Sequence, residues 1–123
     1  MWTHRLIPDV GKWYGRQHGD YYITQMLTGH GCFRAYQYRF KLNNTAECPG
    51  CQNVEETAEH VLFNSIRFAA EISELERVCG GHVTPENVMS YMLLSDLHWN
   101  AVKIFTTVVL KRLREEERAR RRN

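Results

Sequence analysis

Cys48-Pro49-Gly50-Cys51 is followed, after eight intervening residues, by His60. This stretch limits the fold more than any other. Two residues separate the thiols, so both sulfurs can grip one ion from a tight turn. The next eight residues make a loop long enough to bring an imidazole onto the same ion. Zinc takes four such ligands in a tetrahedron. The position where a fourth is expected holds Ser65, whose hydroxyl is a poor zinc ligand. A strong motif therefore has its last ligand replaced, and residues 48–65 read as a metal-pinned loop that helices must pack around.

At 123 residues the chain is one domain with a single core. No apolar run approaches the roughly 18 residues of a membrane span, so no membrane partner is expected. Met1-Trp2-Thr3-His4-Arg5 is not followed by the apolar core of a signal peptide. Four cysteines without a secretory signal read as reduced thiols or ligands rather than a disulfide framework. An intracellular setting is expected, nuclear or cytoplasmic. The net charge of +2 hides a pattern: residues 1–46 carry +4, residues 47–100 carry −7, and residues 101–123 carry +5. The basic ends suit phosphate; equally, they suit ion pairs with the acidic middle.

The rest of the pattern is helical. Pro8 opens a short helix with Val10, Trp13 and Tyr14 on one face. Asp20 caps a second, with Ile23, Met26 and Leu27 inward. Gly29-His30-Gly31 breaks the chain. A third helix interleaves Phe33, Tyr36, Tyr38 and Phe40 with Arg34, Arg39 and Lys41. Aromatics and bases so mixed suit single-stranded nucleic acid, although Phe33, Tyr36 and Phe40 also fit a core at helical spacing. Val61, Leu62 and Phe63 should pack below the metal loop. Asn64 or Ser65 caps a helix with Phe68, Ala69, Ile72, Leu75, Val78 and Cys79 inward, Glu71, Glu74 and Glu76 outward, and Gly80-Gly81 at its end. Thr84-Pro85-Glu86 starts another, burying Val88, Met89, Met92 and Leu93. Ser95-Asp96 starts the longest, with a stripe of Leu97, Ala101, Ile104, Phe105, Val108 and Leu113. The expectation is an all-α fold of about five to six short helices around the knuckle. Residues 1–110 form one helical domain, and residues 111–123 form a basic helical tail that projects or frays.

Several motifs in one order carry a family resemblance. They are Trp2-Thr3-His4-Arg5-Leu6-Ile7-Pro8, His18-Gly19, Thr24-Gln25-Met26-Leu27-Thr28-Gly29-His30-Gly31-Cys32-Phe33, the Cys48–Cys51 pair, and Glu55-Glu56-Thr57-Ala58-Glu59-His60-Val61. Together they resemble the C-terminal region of reverse transcriptases from insect-type non-LTR (LINE-type) retrotransposons, over nearly the whole chain. The resemblance implies a region that follows a polymerase domain, ends in a Cys-Cys-His-Cys zinc knuckle, and helps hold an RNA template or target DNA. Cys48, Cys51 and His60 match the first three ligands. Ser65 stands where the family has its last cysteine, and Ile66 where it usually has proline. Starting at Met1 without the polymerase and endonuclease parts, the chain is expected to be either an excised piece or a stand-alone gene product.

Three readings of Ser65 follow. Zinc is lost and Ser65 is a helix cap; zinc keeps three protein ligands and a water; or Cys32, Cys79 or His82 supplies the fourth ligand. The expected nucleic-acid contacts are Arg34, Arg39, Lys41, Arg118, Arg120, Arg121 and Arg122, with His18 and His30 as lesser candidates. The alternative is a protein–protein or homodimer module built on the last helix, where Ile104, Phe105, Val108 and Val109 spread over more than one face. No catalytic residues are expected: no nuclease-like carboxylate cluster, phosphate-binding glycine loop or nucleophile–base pair stands out.

Overall fold

The computed structural model describes residues 2–7, 25, 26, 29, 33–40, 45–49, 51 and 53–122, excluding the side chains of His4, Arg121 and Arg122. Among these residues all regular structure is helical. The helices are α1 (Trp2–Leu6), α2 (Arg34–Arg39), α3 (Ala69–Cys79), α4 (Val88–Met92) and α5 (Asp96–Arg122). A wide turn of π type (His60–Asn64) and a 3₁₀ turn (Ile66–Phe68) connect the metal loop to α3. The expected helices around Val10 and Ile23 lie outside the described residues, apart from helical Gln25 and Met26.

Helix α1 precedes the point at which a first helix was expected. It stops before Ile7, because a residue ahead of proline is pushed out of helical geometry. Its Trp2 indole donates to the Met26 carbonyl at 2.7 Å and tilts against Phe63. Gly29, at φ +70°, lies within 3.5–3.9 Å of Trp2 by its Cβ direction, so a left-handed turn fits beneath the indole. Arg5 reaches Glu59 and Glu86, both at 2.6 Å, and ties α1 to the metal loop and to the lead-in of α4.

The signals that flank α3 sit at the residues expected. The Ser65 hydroxyl accepts the Arg67 amide at 3.2 Å and so caps the 3₁₀ turn that leads into α3, rather than α3 itself, and Gly80 closes the helix at φ +81°. Phe68 and Leu75 are buried, whereas Ala69 is exposed. Glu76, expected outside, folds over the C-terminal turn and accepts the Val83 amide at 2.8 Å and a proton-bearing nitrogen of His82 at 2.6 Å. Ahead of α4, Asn87 Oδ1 accepts the Thr84 amide at 2.7 Å. Ser95 caps α5 by accepting the His98 amide.

The buried face of α5 differs from the expected one. Trp99, Val102, Phe105, Thr106, Val109, Leu110 and Leu113 are buried, while Leu97 and Ile104 are 68% and 63% exposed and Val108 is exposed too. The helix is apolar on two faces, both at three–four spacing. The buried one offers the broader surface to α3 and α4 and carries the large indole of Trp99. Leu6, Met26, Phe33, Val61, Leu62, Phe68, Met89 and Met92 fill the rest of the same core. Burial of one such side chain contributes about 1.5–3 kcal/mol, which lets the core hold the frame around the metal loop.

Between Lys111 and Arg120 the described residues of the helix lie against the body. Leu113 is buried, Arg112 stacks over Phe68, and Glu116 and Arg120 reach residues near the loop.

Candidate metal centre and its arginine surround

The metal loop is closed by backbone pairing at its base. Glu47 and Glu55 form an antiparallel bridge, the Cys48 amide donates to Val54 O at 2.7 Å, and the Glu56 amide donates to Ala46 O at 2.7 Å. Within the loop, the Cys51 amide donates to Cys48 O at 3.2 Å, so the two cysteines sit on one turn. Asn53 takes the left-handed conformation at φ +61°, which asparagine tolerates better than most residues. The Thr57 hydroxyl then accepts the His60 amide and opens the turn that carries the imidazole.

This arrangement brings Cys48 Sγ, Cys51 Sγ and a His60 ring nitrogen within 4.8 Å of one another. The spacing approaches the edge of a zinc tetrahedron with sulfur ligands, about 3.8 Å from a Zn–S bond of about 2.3 Å. His60 Nε2 is buried and has no hydrogen-bond partner, as expected of a nitrogen lone pair that serves a metal. Burial also lowers the His60 pKa, which favours the neutral, ligating ring. Two soft thiols and a neutral imidazole fit zinc.

Ser65 Oγ lies 3.9 Å from Cys48 Sγ and 4.0 Å from Cys51 Sγ, close beside the two thiols of this group. It is also the cap described above. Cys79 and His82 do not join the group. Helix α3 carries Cys79 about 15 Å along its axis away from Ala69, and His82 is held by Glu76. Cys32 lies outside the described residues, as do His18, His30 and Lys41.

One wall of the centre is built on Glu56, 1% exposed. Its Oε1 accepts the Arg34 amide at 3.0 Å; its Oε2 accepts from the Arg67 guanidinium at 3.1 Å and lies 3.7 Å from Arg34 Nε. Burial raises its pKa, and the Arg34 amide with the charges of Arg34, Arg67 and Arg120 pulls the other way. Burial likewise depresses the Arg67 pKa, but Glu116, Glu56 and the Cys48 sulfur outweigh it, leaving the guanidinium more firmly protonated than usual. Neither Glu56 nor Arg67 stands out in the sequence. Glu55 and Glu56 are identical in type, and only the fold makes the first exposed and the second buried, so no local signal marks Glu56.

Of the expected nucleic-acid contacts, Arg34 is half-buried against Glu56, and Arg120 donates to Gln37 Oε1 at 3.3 Å. Arg39 and Arg118 are exposed. Arg121 and Arg122 fall within α5, with their side chains outside the description. Around them Phe33 is core, Tyr36 is half-buried against Phe40, and Phe40 is 56% exposed, contrary to its expected place in the core. The buried polar position of α2 is Gln37, which supports Arg120.

The architecture thus defines a helical domain organised on a Cys-Cys-His group that can hold a metal ion. The chain is 51% identical over 38 residues to a Pol polyprotein of the type-1 retrotransposable element R1 from Popillia japonica, and 40% identical over 63 residues to one from Nasonia vitripennis. These stretches cover 31% and 49% of this chain but only 16% and 15% of the two polyproteins. The chain is therefore a partial homologue of R1 retrotransposon Pol polyproteins, as the motif order led one to expect. No family model and no solved structure matches it. No helix among the described residues is long and apolar enough to cross a membrane.

Proposed function

We propose that this chain is a nucleic-acid-binding module derived from a retrotransposon Pol polyprotein, which grips an RNA template or target DNA and carries out no chemistry itself. The observation that carries this reading is the crowding of arginines beside the Cys48–Cys51–His60 group. In this reading zinc, held by Cys48, Cys51 and His60, is a staple: it fixes the loop against which Arg34, Arg67 and Arg120 are set. Arg39 and Arg118, both exposed, extend the basic surface, and Lys41, Arg121 and Arg122 are proposed as further contacts from the sequence alone. Such contacts to phosphate dominate affinity and weaken as salt rises. The test is binding to a short single-stranded RNA and to a matched DNA duplex at two salt concentrations. Steeply salt-dependent binding is expected, weaker when the terminal arginines are removed, and the preferred ligand assigns template or target. No binding at low salt would refute the reading.

A second reading is favoured by one observation. Leu97, Ile104 and Val108 are exposed along a groove of about 470 Å³ between α3 and α5. An apolar stripe of this kind suits pairing with a second copy. Light scattering would show a dimer if this face pairs, and a monomer at high concentration would refute it.

A further inference from the structure

Beside the metal loop a recess of about 450 Å³ opens between Arg34, Pro49, Arg67, Glu116, Ala119 and Arg120. Three guanidinium groups meet there from three separate segments: the first residue of α2, the 3₁₀ turn after Ser65, and the far end of α5. Two carboxylates oppose them. Glu56 is buried beneath, and Glu116 stands at the rim, 39% exposed and bonded to Arg67.

The cations are incompletely answered. Arg34 Nε is buried without a hydrogen bond, and its 3.7 Å approach to Glu56 is too long to count as one. Arg120 has a long 3.3 Å bond to Gln37. Burial and the neighbouring Arg34 charge lower its pKa, as expected where like charges are held together. Arginines converging on an opening are the arrangement that binds phosphate by several parallel N–H···O bonds.

We propose that this recess binds a backbone phosphate of single-stranded nucleic acid, and that Glu116 occupies Arg67 in its place when no phosphate is bound. The proposal rests on the nucleic-acid reading above and gives it a specific site. A nucleic acid is favoured over a phosphopeptide by the exposed rings of Tyr38 and Phe40. They follow Arg34 on the same helical segment, Tyr38 about 6 Å along it, and give unpaired bases flat faces to stack on.

The test is fluorescence anisotropy with a labelled oligouridine and the full chain, as wild type, Glu116→Gln, Glu115→Gln and Arg120→Gln. Glu115 is an exposed neighbour on α5, so its neutralisation makes the same change in net charge without freeing Arg67. Glu116→Gln is expected to tighten binding about threefold to fivefold, the worth of one partly exposed ion pair, and Glu115→Gln by clearly less. Arg120→Gln should weaken binding and reduce the salt slope by about 0.7, one single-strand phosphate contact. A gain on Glu116→Gln cannot come from misfolding. Equal gains from the two glutamate variants, with Arg120→Gln unchanged, would overturn the recess and leave the proposed function standing. A wild type that binds no oligouridine would overturn both. A phosphoserine peptide that competes as well as the oligonucleotide would assign the recess to a different partner and overturn the proposal.

Discussion

Ser65→Cys places a third thiol beside Cys48 and Cys51, where a hydroxyl now stands. Ser65 Oγ is 3.9–4.0 Å from both cysteine sulfurs, and a sulfur on the same Cβ reaches farther toward a shared ion. A complete structural zinc site is worth about 10–16 kcal/mol in apparent binding. A quarter of that, about 3 kcal/mol, makes zinc affinity about 100-fold higher in the variant. The exchange also weakens the cap on the Arg67 amide, which costs about 1 kcal/mol in the metal-free chain. The variant should thus unfold more easily than wild type in chelator and less easily in zinc. Competition against a chromophoric chelator gives the affinities, and urea unfolding with and without zinc gives the crossover. Cobalt substitution supplies the ligand count, because thiolate charge-transfer absorption grows with each sulfur bound. Equal zinc affinities, or a cobalt spectrum with no added thiolate, would refute the reasoning: Ser65 would then be a cap and nothing more.

Glu56→Gln keeps an acceptor for the Arg34 amide but removes the buried charge opposite Arg34 and Arg67. We expect a loss of about 2–3 kcal/mol in urea unfolding, short of the roughly 3–5 for breaking a fully buried pair; a neutral result would mean that the arginines do not depend on Glu56. The face assigned to α5 is checked by Trp99→Ala, expected to cost about 3–5 kcal/mol, against Ile104→Ala, expected within about 0.5 kcal/mol. The reverse order would mean that the helix is turned the other way. For pH, burial holds His60 neutral when folded, while an unfolded imidazole takes up a proton below about 6.5. The unfolded state then binds more protons, so metal-free stability should fall as pH drops through that value. A urea midpoint that falls no more steeply in wild type than in His60→Ala between pH 7.5 and 5.5 would contradict this.

What the sequence makes legible is local. The spacing of Cys48, Cys51 and His60, the Ser65 cap, the Gly80 end and the cap at Ser95 each depend on residues within a few positions of one another, and all appear where expected. The face of α5 is not legible in that way. Leu97, Ala101, Ile104 and Val108 obey the same three–four rule as Trp99, Val102, Phe105, Thr106, Val109, Leu110 and Leu113. Periodicity finds both stripes and does not rank them; the choice rests on which one α3 and α4 can cover.

The same limit separates the two halves of the candidate site. A metal group can be read from one loop because its ligands are a few residues apart. The arginine recess cannot, because Arg34, Arg67 and Arg120 meet only after the core has packed α2, the 3₁₀ turn and α5 together. Arg67 and Glu56 lie in the acidic middle, where charge counting finds little reason to look for cation contacts. Yet Glu56 ties the basic N-terminal segment to the middle: its carboxylate receives the Arg34 amide and, from within the middle itself, the Arg67 guanidinium. Under the proposed function, the contrast between basic ends and an acidic middle serves both readings left open by composition. One buried carboxylate pairs with Arg34 and Arg67 and sets them in place, and in the proposed recess the excess of cations over carboxylates is left at the opening for a phosphate.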